Sequence, residues 1–319
     1  MFTIDNRIIP NIHSNVPNSP NTHTKLEITQ EGVENLLKKI DPRKASGPDR
    51  LPNIFLKTFY LQLAPTVTAI FRQSLKEARI PSDWKASVVV PVHKKGTTSD
   101  PLNYRPIALT SVLCKQMEHI VASHIRTHLD KTDFLVTEQH GFRSKRSCES
   151  QLILTIHNVL QLLDLGNTVD CIVLDFSKAF DTVCHSKLIA KLQSTGLSKC
   201  IVDWIREWLK DRVQCVKINS ICSSPKSVIS GVPQGSVLGP LLFLIYINDI
   251  TSCVNKPNRI SLFADDAFLF GPRGSLLQQD LSGLYEWSEK WQLRFNIKKC
   301  QTICLEIQTM LCMLLLAPP

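Results

Sequence analysis

The sequence lacks the features that mark a zinc-binding, a secreted or a membrane protein. Its eleven cysteines include no Cys-x-x-Cys pair, and Cys300 and Cys304, the closest two, have no histidine nearby to complete a zinc site. Scattered cysteines in an odd number are typical of reduced thiols, so we expect an intracellular protein, with nucleus and cytoplasm both open. The first ten residues hold no apolar run long enough for a secretory signal. The apolar run 310–316 is too short to cross a bilayer, so we expect no membrane attachment.

Net charge and hydrophobic content are compatible with several classes of protein. The net charge of +9 suits a polyanionic partner such as nucleic acid, although a solvated basic surface explains the same excess. With 43% hydrophobic residues, the chain of 319 residues can bury a core as one large domain or as two smaller ones. We find no internal repeat, and nothing in the sequence indicates an oligomeric state.

Three aspartates lie at the ends of short apolar runs. Asp175 follows the run 169–174, and the pair Asp265 and Asp266 separates two more such runs. This pattern predicts a hairpin with both carboxylates of the pair at its tip. Carboxylates that converge from strand ends are what a site for two divalent cations needs. A single aspartate in such a place is more often a turn former or a helix cap, so each is weak evidence alone.

Helical and extended patterns alternate in mixed order, which predicts an α+β or mixed α/β fold without fixing the strand order. The first predicted helix is capped by Thr29, and Trp204 and Trp208, at i and i+4, are expected to pack in the core. The predicted helices lie within residues 25–40, 50–78, 111–129, 149–165, 186–194, 200–210, 240–250 and 276–291. The predicted strands lie at 87–92, 103–109, 169–174, 213–218, 260–263 and 267–270.

Ordered motifs give the aspartates a context. The segments Leu-Asp-Phe-Ser-Lys-Ala-Phe-Asp at 174–181, Gly-Val-Pro-Gln-Gly-Ser-Val-Leu-Gly-Pro at 231–240 and Phe-Ala-Asp-Asp at 263–266 follow one another along the chain. Together they resemble the palm motifs of reverse transcriptases from non-long-terminal-repeat (non-LTR) retrotransposons, the LINE and jockey-like elements. Further matching segments lie at 44–49, 84–91, 103–109, 139–143 and 291–300. The resemblance covers about residues 25 to 305.

The resemblance implies a right-hand polymerase with fingers and palm, acting as an RNA-directed DNA polymerase. Its substrates would be deoxynucleoside triphosphates, an RNA template and a DNA primer, and its cofactor two Mg²⁺ ions, with Mn²⁺ as a substitute. Asp175 and Asp265 would ligate the metals, Asp266 would support them, and the backbone carbonyl of Phe176 would add an oxygen. One ion activates the 3′-hydroxyl and the other steadies the leaving pyrophosphate.

The same resemblance assigns nucleotide-binding roles. Phe180 matches the aromatic position that excludes a 2′-hydroxyl, although core packing is the simpler role for a phenylalanine. Lys94 and Arg105 match fingers residues that meet the triphosphate, where cationic heads suit phosphate oxygens. Either residue taken alone is better explained as a solvated surface charge. Phe180 also argues against an RNA-dependent RNA polymerase, because a bulky ring disfavours ribonucleotides.

Further matches concern a loop, a lysine and two arginines. Gln234 and Gly235 match a loop that approaches the nucleotide or template closely, as glycine permits. Lys299 matches a lysine near the triphosphate that can protonate pyrophosphate; an exposed lysine is the alternative. Arg143 and Arg146 are assigned to template phosphates. Residues 1–23 are rich in Asn, Pro, Ser and Thr without periodicity, which predicts a flexible lead. The resemblance then implies a helical extension at 24–74, a reverse transcriptase domain at 75–306 (fingers about 75–165, palm about 166–306) and a divergent tail at 307–319.

The resemblance fades after Cys304, where the primer-gripping hairpin and helical thumb of the family are expected. We therefore expect a truncated copy that lacks the thumb. The alternative to an active polymerase is a catalytically inactive, nucleic-acid-binding remnant of a mobile element, which the positive charge also suits.

Overall fold

A computed structural model describes residues 2–12 and 25–306, and within it the chain divides into two structural units. The first unit contains Met1–Phe134 and Val183–Leu242, and the second contains Leu135–Thr182 and Phe243–Pro319. The units therefore interleave along the chain, whereas the predicted fingers and palm follow one another. The predicted boundaries at 74/75 and 165/166 remain predictions, and the predicted tail at 307–319 lies outside the described residues.

The helices begin and end close to the predicted residues. In chain order they are α1 (Gln30–Lys38), α2 (Asn53–Thr58), α3 (Tyr60–Glu77), α4 (Ser82–Lys85), α5 (Val112–Lys131), α6 (Cys148–Asp164), α7 (Ala179–Thr182), α8 (His185–Ser194), α9 (Lys199–Leu209), α10 (Leu238–Ile247) and α11 (Leu277–Trp291). Thr29 caps α1 as predicted, because its hydroxyl oxygen accepts from the backbone N–H of Gly32 at 3.1 Å. Trp204 and Trp208 of α9 are fully buried, which confirms their role in the core. None of the helices in the described ranges has the length and apolar character needed to cross a membrane.

Two sheets hold the strands. The strands are β1 (Ala86–His93), β2 (Tyr104–Thr110), β3 (Val169–Asp175), β4 (Arg212–Ile218), β5 (Ile221–Cys222), β6 (Lys226–Val228), β7 (Arg259–Phe263), β8 (Asp266–Pro272) and β9 (Gln301–Leu305). The sheet of the first unit has the order β2-β1-β4-β5, with β6 also paired to β4, and its β1–β4 pairing is parallel. The sheet of the second unit has the order β7-β8-β3-β9 and is antiparallel throughout.

Helix α6 packs on one face of the second sheet. Val159, Leu162 and Leu163 of α6 form a buried cluster with β3 and β8. The β3 residues in that cluster, Val169 and Cys171, alternate along the strand, as a half-buried strand requires. This packing fixes the faces of β3 and β8, and with them the place where Asp175 leaves the sheet.

A buried glutamate organises the first unit. Glu118 of α5 is fully buried, and its Oε1 accepts from the indole N–H of Trp208 at 3.2 Å. Its Oε2 accepts from the backbone N–H groups of Val237 and Leu238, at 2.7 and 3.3 Å. Because α10 begins at Leu238, the carboxylate satisfies N–H groups that have no partner inside the helix.

The N-terminal lead, predicted to be flexible, is described only over residues 2–12, which contain no helix or strand. Within the first unit, the backbone N–H of Thr3 donates to the hydroxyl of Ser230 at 2.8 Å. The carboxylate of Asp5 forms a hydrogen bond with the side chain of Ser186, which lowers its pKa against an opposing effect of burial. These residues are therefore in contact with the body of the first unit.

Candidate active site

The second sheet places Asp175 and Asp266 directly opposite each other. Asp175 is the last residue of β3, Asp266 is the first residue of β8, and the two are partners in the antiparallel register. Directly opposed residues in such a pair have Cα atoms about 4.5–5.5 Å apart. The predicted convergence of these two aspartates therefore follows from strand pairing alone.

The hairpin turn differs in detail from the prediction, which placed both carboxylates of the pair at its tip. Phe263 pairs with Asp266, so the two residues of the turn are Ala264 and Asp265. Asp266 belongs to the strand because its backbone pairs with two neighbours, Phe263 and Asp175. Ala264 has φ of +56°, a left-handed conformation that costs a residue with a β-carbon about 1–2 kcal/mol.

The carboxylates of Asp265 and Asp175 repel that of Asp266. The pKa of Asp266 is raised, first because surrounding protein limits the hydration of its carboxyl group, and then because the carboxylates of Asp265 and Asp175 lie close to it. Asp266 as a whole residue is exposed, so solvent still reaches part of its side chain. The ammonium group of Lys299 acts in the opposite direction and lowers the pKa. A positive charge at this place is therefore favourable.

Lys299 supplies such a charge. Its Nζ donates to Oδ2 of Asp175 at 2.9 Å, with the lysine side chain 62% exposed and the aspartate side chain 24% exposed. The segment that carries Lys299 runs beside the end of β3, where the backbone N–H of Asn296 donates to the carbonyl oxygen of Asp175 at 2.7 Å. The lysine that was matched from sequence therefore lies at the aspartates.

These carboxylates suit a hard divalent cation by donor type. Among residues 2–12 and 25–306, no three His, Cys, Asp or Glu side chains are arranged as a ready metal-binding cluster. Magnesium sites in nucleotide-processing enzymes commonly use only one or two carboxylates together with substrate phosphate oxygens. The opposed pair Asp175 and Asp266, with Asp265 beside it, fits that kind of open site, and the repulsion of Asp266 by the other two carboxylates is what a cation would relieve.

Two phenylalanines follow Asp175 and pack differently. The ring of Phe176 is buried and stacks on Phe295 with centroids 4.5 Å apart. Phe180 is partly exposed, stacks on Phe243 at 4.7 Å and meets Phe142 edge-on at 6.1 Å. Phe180 thus has the core-packing role that was the simpler explanation for it, and the residue remains partly exposed to solvent.

Four of the residues assigned to nucleotide binding lie together in the first unit. Val92 pairs with Arg105 across β1 and β2, and the pairing continues as the N–H of Lys94 donates to the carbonyl of Asn103 at 2.8 Å. Because residues two apart on a strand share a face, the exposed Lys94 and Arg105 are on the same face of this hairpin. Two cations on one face suit a polyphosphate.

The loop with the other two residues lies against β2. The carbonyl oxygen of Gln234 accepts from the N–H of Ala108 at 2.7 Å. Gly235 has φ of +116°, and a β-carbon there would stand 2.6 Å from the carbonyl oxygen of Ala108. Only glycine fits this close approach, so the glycine that was matched from sequence has a structural reason.

Comparison with known proteins identifies the family. Residues 92–312 match the family model described as "Reverse transcriptase (RNA-dependent DNA polymerase)". The chain belongs to the reverse transcriptase family. This confirms the resemblance that its motifs carry.

Curated relatives of this reverse transcriptase include mobile-element polymerases. The RNA-directed DNA polymerase from mobile element jockey of Drosophila melanogaster is 29% identical over 298 residues, covering 89% of this chain and 32% of the relative. The probable RNA-directed DNA polymerase from transposon BS of the same fly is 29% identical over 299 residues, 89% of this chain and 33% of the relative. The chain thus spans about a third of the length of these relatives, whose non-LTR type agrees with the motifs.

A solved structure shares the fold. A telomerase from Candida tropicalis, solved in complex with a fragment of telomeric RNA, aligns with a TM-score of 0.55 at 13% identity. The alignment covers 77% of this chain and 45% of the telomerase chain. The predicted mixed α/β fold of a reverse transcriptase is confirmed.

The two arginines assigned to template have backbone partners in the reverse transcriptase. One guanidinium nitrogen of Arg143 donates to the carbonyl of Val136 at 2.6 Å, and one of Arg146 donates to the carbonyl of Thr137 at 2.6 Å. Both side chains therefore hold the loop before α6. This contact supports a structural role, and template binding by either arginine stays a prediction.

No role was predicted for the side chain of Gln139, although its segment was among the matched motifs. The structure places the amide group of Gln139 against Ala264 in the turn between β7 and β8. The only signal in the sequence was the presence of the segment 139–143 among the motifs, because the contact joins residues 125 positions apart.

Proposed function

We propose that this chain is an RNA-directed DNA polymerase of a non-LTR retrotransposon, which extends a DNA primer on an RNA template. The observation that carries the proposal is the cross-strand pairing of Asp175 with Asp266, with Asp265 in the adjoining turn. Family membership supports the reaction class. The relatives named as RNA-directed DNA polymerases support the choice of template.

In this proposal the aspartates hold the cations. Asp175 and Asp265 ligate two divalent ions, Asp266 supports them, and the carbonyl of Phe176 supplies a further oxygen. Bound Mg²⁺ or Mn²⁺ would promote ionisation of the primer 3′-hydroxyl and neutralise charge on the leaving pyrophosphate. The carboxylates are positioned by strand pairing, so they need little rearrangement before the reaction.

Other residues bind and select the nucleotide. Lys299 transfers a proton to pyrophosphate, as a general acid does, and its contact with Asp175 at 2.9 Å supports this role. Phe180 presents an aromatic edge that disfavours a 2′-hydroxyl. Lys94 and Arg105 contact the triphosphate, Arg by paired donors and Lys as a point charge. Gln234 and Gly235 border the nucleotide through the backbone of their loop.

The test is primer extension by the full chain on a primed RNA template with deoxynucleotides and Mg²⁺. We expect extension by the wild type, and its loss by a factor of 10² or more, on the order of an essential electrostatic group, in Asp265→Asn. The matched control is Asp164→Asn, an exposed residue at the end of α6 in the same unit, which should retain full extension. Equal extension by the wild type and Asp265→Asn would refute the proposal.

The second candidate is a non-catalytic nucleic-acid-binding protein, favoured by the net charge of +9. Binding and extension measured on the same preparations separate the two. Wild-type binding to the primed template without any extension, under conditions where a full-length jockey polymerase extends it, would establish the second candidate. Comparable use of ribonucleotides and deoxynucleotides would instead contradict the role of Phe180.

A further inference from the structure

The segment before α6 adds a short parallel pairing to β7. The backbone N–H of Leu262 donates to the carbonyl of Glu138, and the N–H of His140 donates to the carbonyl of Leu262, both at 2.9 Å. Gln139 is the residue between these two bonds and pairs with Leu262. Its side chain is 2% exposed, so its amide group must find partners inside the protein.

Those partners belong to the turn that carries the aspartates. Oε1 of Gln139 accepts from the backbone N–H of Ala264 at 2.8 Å and from that of Gly141 at 2.7 Å. Nε2 of Gln139 donates to the carbonyl oxygen of Ala264 at 3.2 Å. One side chain thus holds both backbone polar groups of a residue in the left-handed conformation.

The approach of the two segments is close enough to exclude any side chain at Gly141. A β-carbon there would lie 2.2 Å from the backbone nitrogen of Ala264 and 2.9 Å from its Cα. The glycine thereby brings the segment of Gln139 within reach of the turn. Two independent features, the amide contacts and the close approach, therefore converge on Ala264.

We propose that Gln139 is a positioning residue for catalysis, which locks the Ala264–Asp265 turn and so fixes the carboxylates of Asp265 and Asp266. The inference rests on the proposed function, since it assigns a task within the same site. The turn depends on the hydrogen bonds from Gln139 because Ala264 lies in a conformation disfavoured for a residue with a β-carbon. Without the amide group the turn can relax, and the neighbouring carboxylates move with it.

The test uses Gln139→Met, which keeps the length of the side chain and removes its polar atoms, in primer extension by the full chain. We expect kcat to fall about tenfold to a hundredfold, as small misplacements of reacting groups do. KM for the deoxynucleotide should stay within about twofold, and the Mg²⁺ concentration for half-maximal rate should rise. Gln279→Met, an exposed residue of α11 with the same change, is the control and should match the wild type.

Rescue separates positioning from general destabilisation. Ala264→Gly removes the strain of the left-handed conformation, so in the Gln139→Met background it should restore part of kcat. Because this change also relieves strain in the fold, kcat is compared at a temperature at which every variant is fully folded, so that a gain reports the positioning of the turn. Gln139→Asn is the second variant if Gln139→Met does not fold, because it keeps an amide group in the buried site but is one methylene shorter and cannot make the same contacts with Ala264.

A readout independent of turnover is hydrogen exchange of the Ala264 amide, which should be faster in Gln139→Met and unchanged in Gln279→Met. Binding of Mn²⁺ should weaken in the same variant. Unchanged exchange, Mn²⁺ binding and kcat in Gln139→Met would overturn the inference. An inactive wild type would refute the proposed function instead, while exchange and Mn²⁺ binding would still decide whether Gln139 positions the turn.

Discussion

At the scale of single residues, the site depends on where like charges are placed. The pairing of Asp175 with Asp266 places carboxylates together, and the raised pKa of Asp266 reflects both limited hydration and that repulsion. Lys299 partly offsets it through its contact with Asp175. A salt bridge that is this exposed contributes little to folding, so its importance lies in the electrostatics of the site.

The substitution Lys299→Met separates the contribution of this salt bridge to folding from its contribution to the electrostatics of the site. The free energy of unfolding should change by less than about 1 kcal/mol, because the bridge is exposed. Mn²⁺ binding should be as tight as in the wild type or tighter, since a competing positive charge is removed. Primer extension should be at least about tenfold slower if Lys299 is the proton donor. Weaker Mn²⁺ binding, or an unchanged rate of extension, would contradict these roles.

Gly141→Ala tests the close approach to the turn. An added methyl group has no room beside Ala264, so the two segments must separate, at a cost of about 1–3 kcal/mol typical of overpacking. We expect a lower midpoint in chemical denaturation and slower extension. The control is Gly283→Ala in α11, where the added carbon would meet its nearest atom at 3.5 Å, an ordinary van der Waals contact, and no positive φ opposes it. If the two changes cost the same and leave extension equal, space at Gly141 is not limiting.

At the scale of elements, the buried carboxylate of Glu118 joins α5, α9 and the start of α10. It accepts from Trp208 and from the first N–H groups of α10, just after the loop with Gln234. That loop is also bound to β2 through Ala108. The loop is therefore held at Gln234 and at its junction with α10.

Glu118→Leu removes the acceptor and leaves buried N–H groups without partners. We expect a loss of about 3–5 kcal/mol in the free energy of unfolding, as for a broken buried network. Denaturant titration measures it, with the exposed Glu286→Leu as control, which should cost less than about 0.5 kcal/mol. A loss as small as that of the control would show that Glu118 is not needed by α10.

Elements were predictable where local pattern decides them. Thr29 at the start of α1 and the nearly all-apolar α10 could be predicted directly, since a capping residue and a long apolar run are local signals. The short strands β5, β6 and β9 were missed, because their residues are mostly exposed and only pairing makes them strands. The turn was predicted one residue too long, since register with β3, not local sequence, assigns Asp266 to a strand.

The site was predictable to a similar extent. Asp175, Asp265, Asp266 and Lys299 were assigned to a site because ordered motifs carry them; the structure brings Lys299 to Asp175, and their roles stay predictions. The hydrogen bonds of Gln139 to Ala264 were not predictable, since a contact between residues 125 positions apart leaves no pattern in the local sequence. Motifs indicate which residues matter, and the fold shows what each one contacts.

At the scale of the whole molecule, the net charge of +9 predicts nucleic-acid binding that weakens with salt. The logarithm of the affinity for a primed template should fall linearly with the logarithm of salt concentration. Substituting Lys94 and Arg105 together by alanine should change this slope little and should raise KM for the deoxynucleotide about tenfold or more, because both are proposed to contact the triphosphate. The exposed Lys76→Ala is the control. An unchanged KM for the deoxynucleotide would leave both as ordinary surface charges.

The most direct measurement of the central claim is Mn²⁺ binding to the full chain, followed by electron paramagnetic resonance with a deoxynucleotide present. Asp175→Asn and Asp265→Asn should each weaken binding by at least about tenfold, since these two carboxylates are the proposed ligands. Asp164→Asn should bind as the wild type does. Identical Mn²⁺ affinity in the wild type, Asp175→Asn and Asp265→Asn would contradict the account.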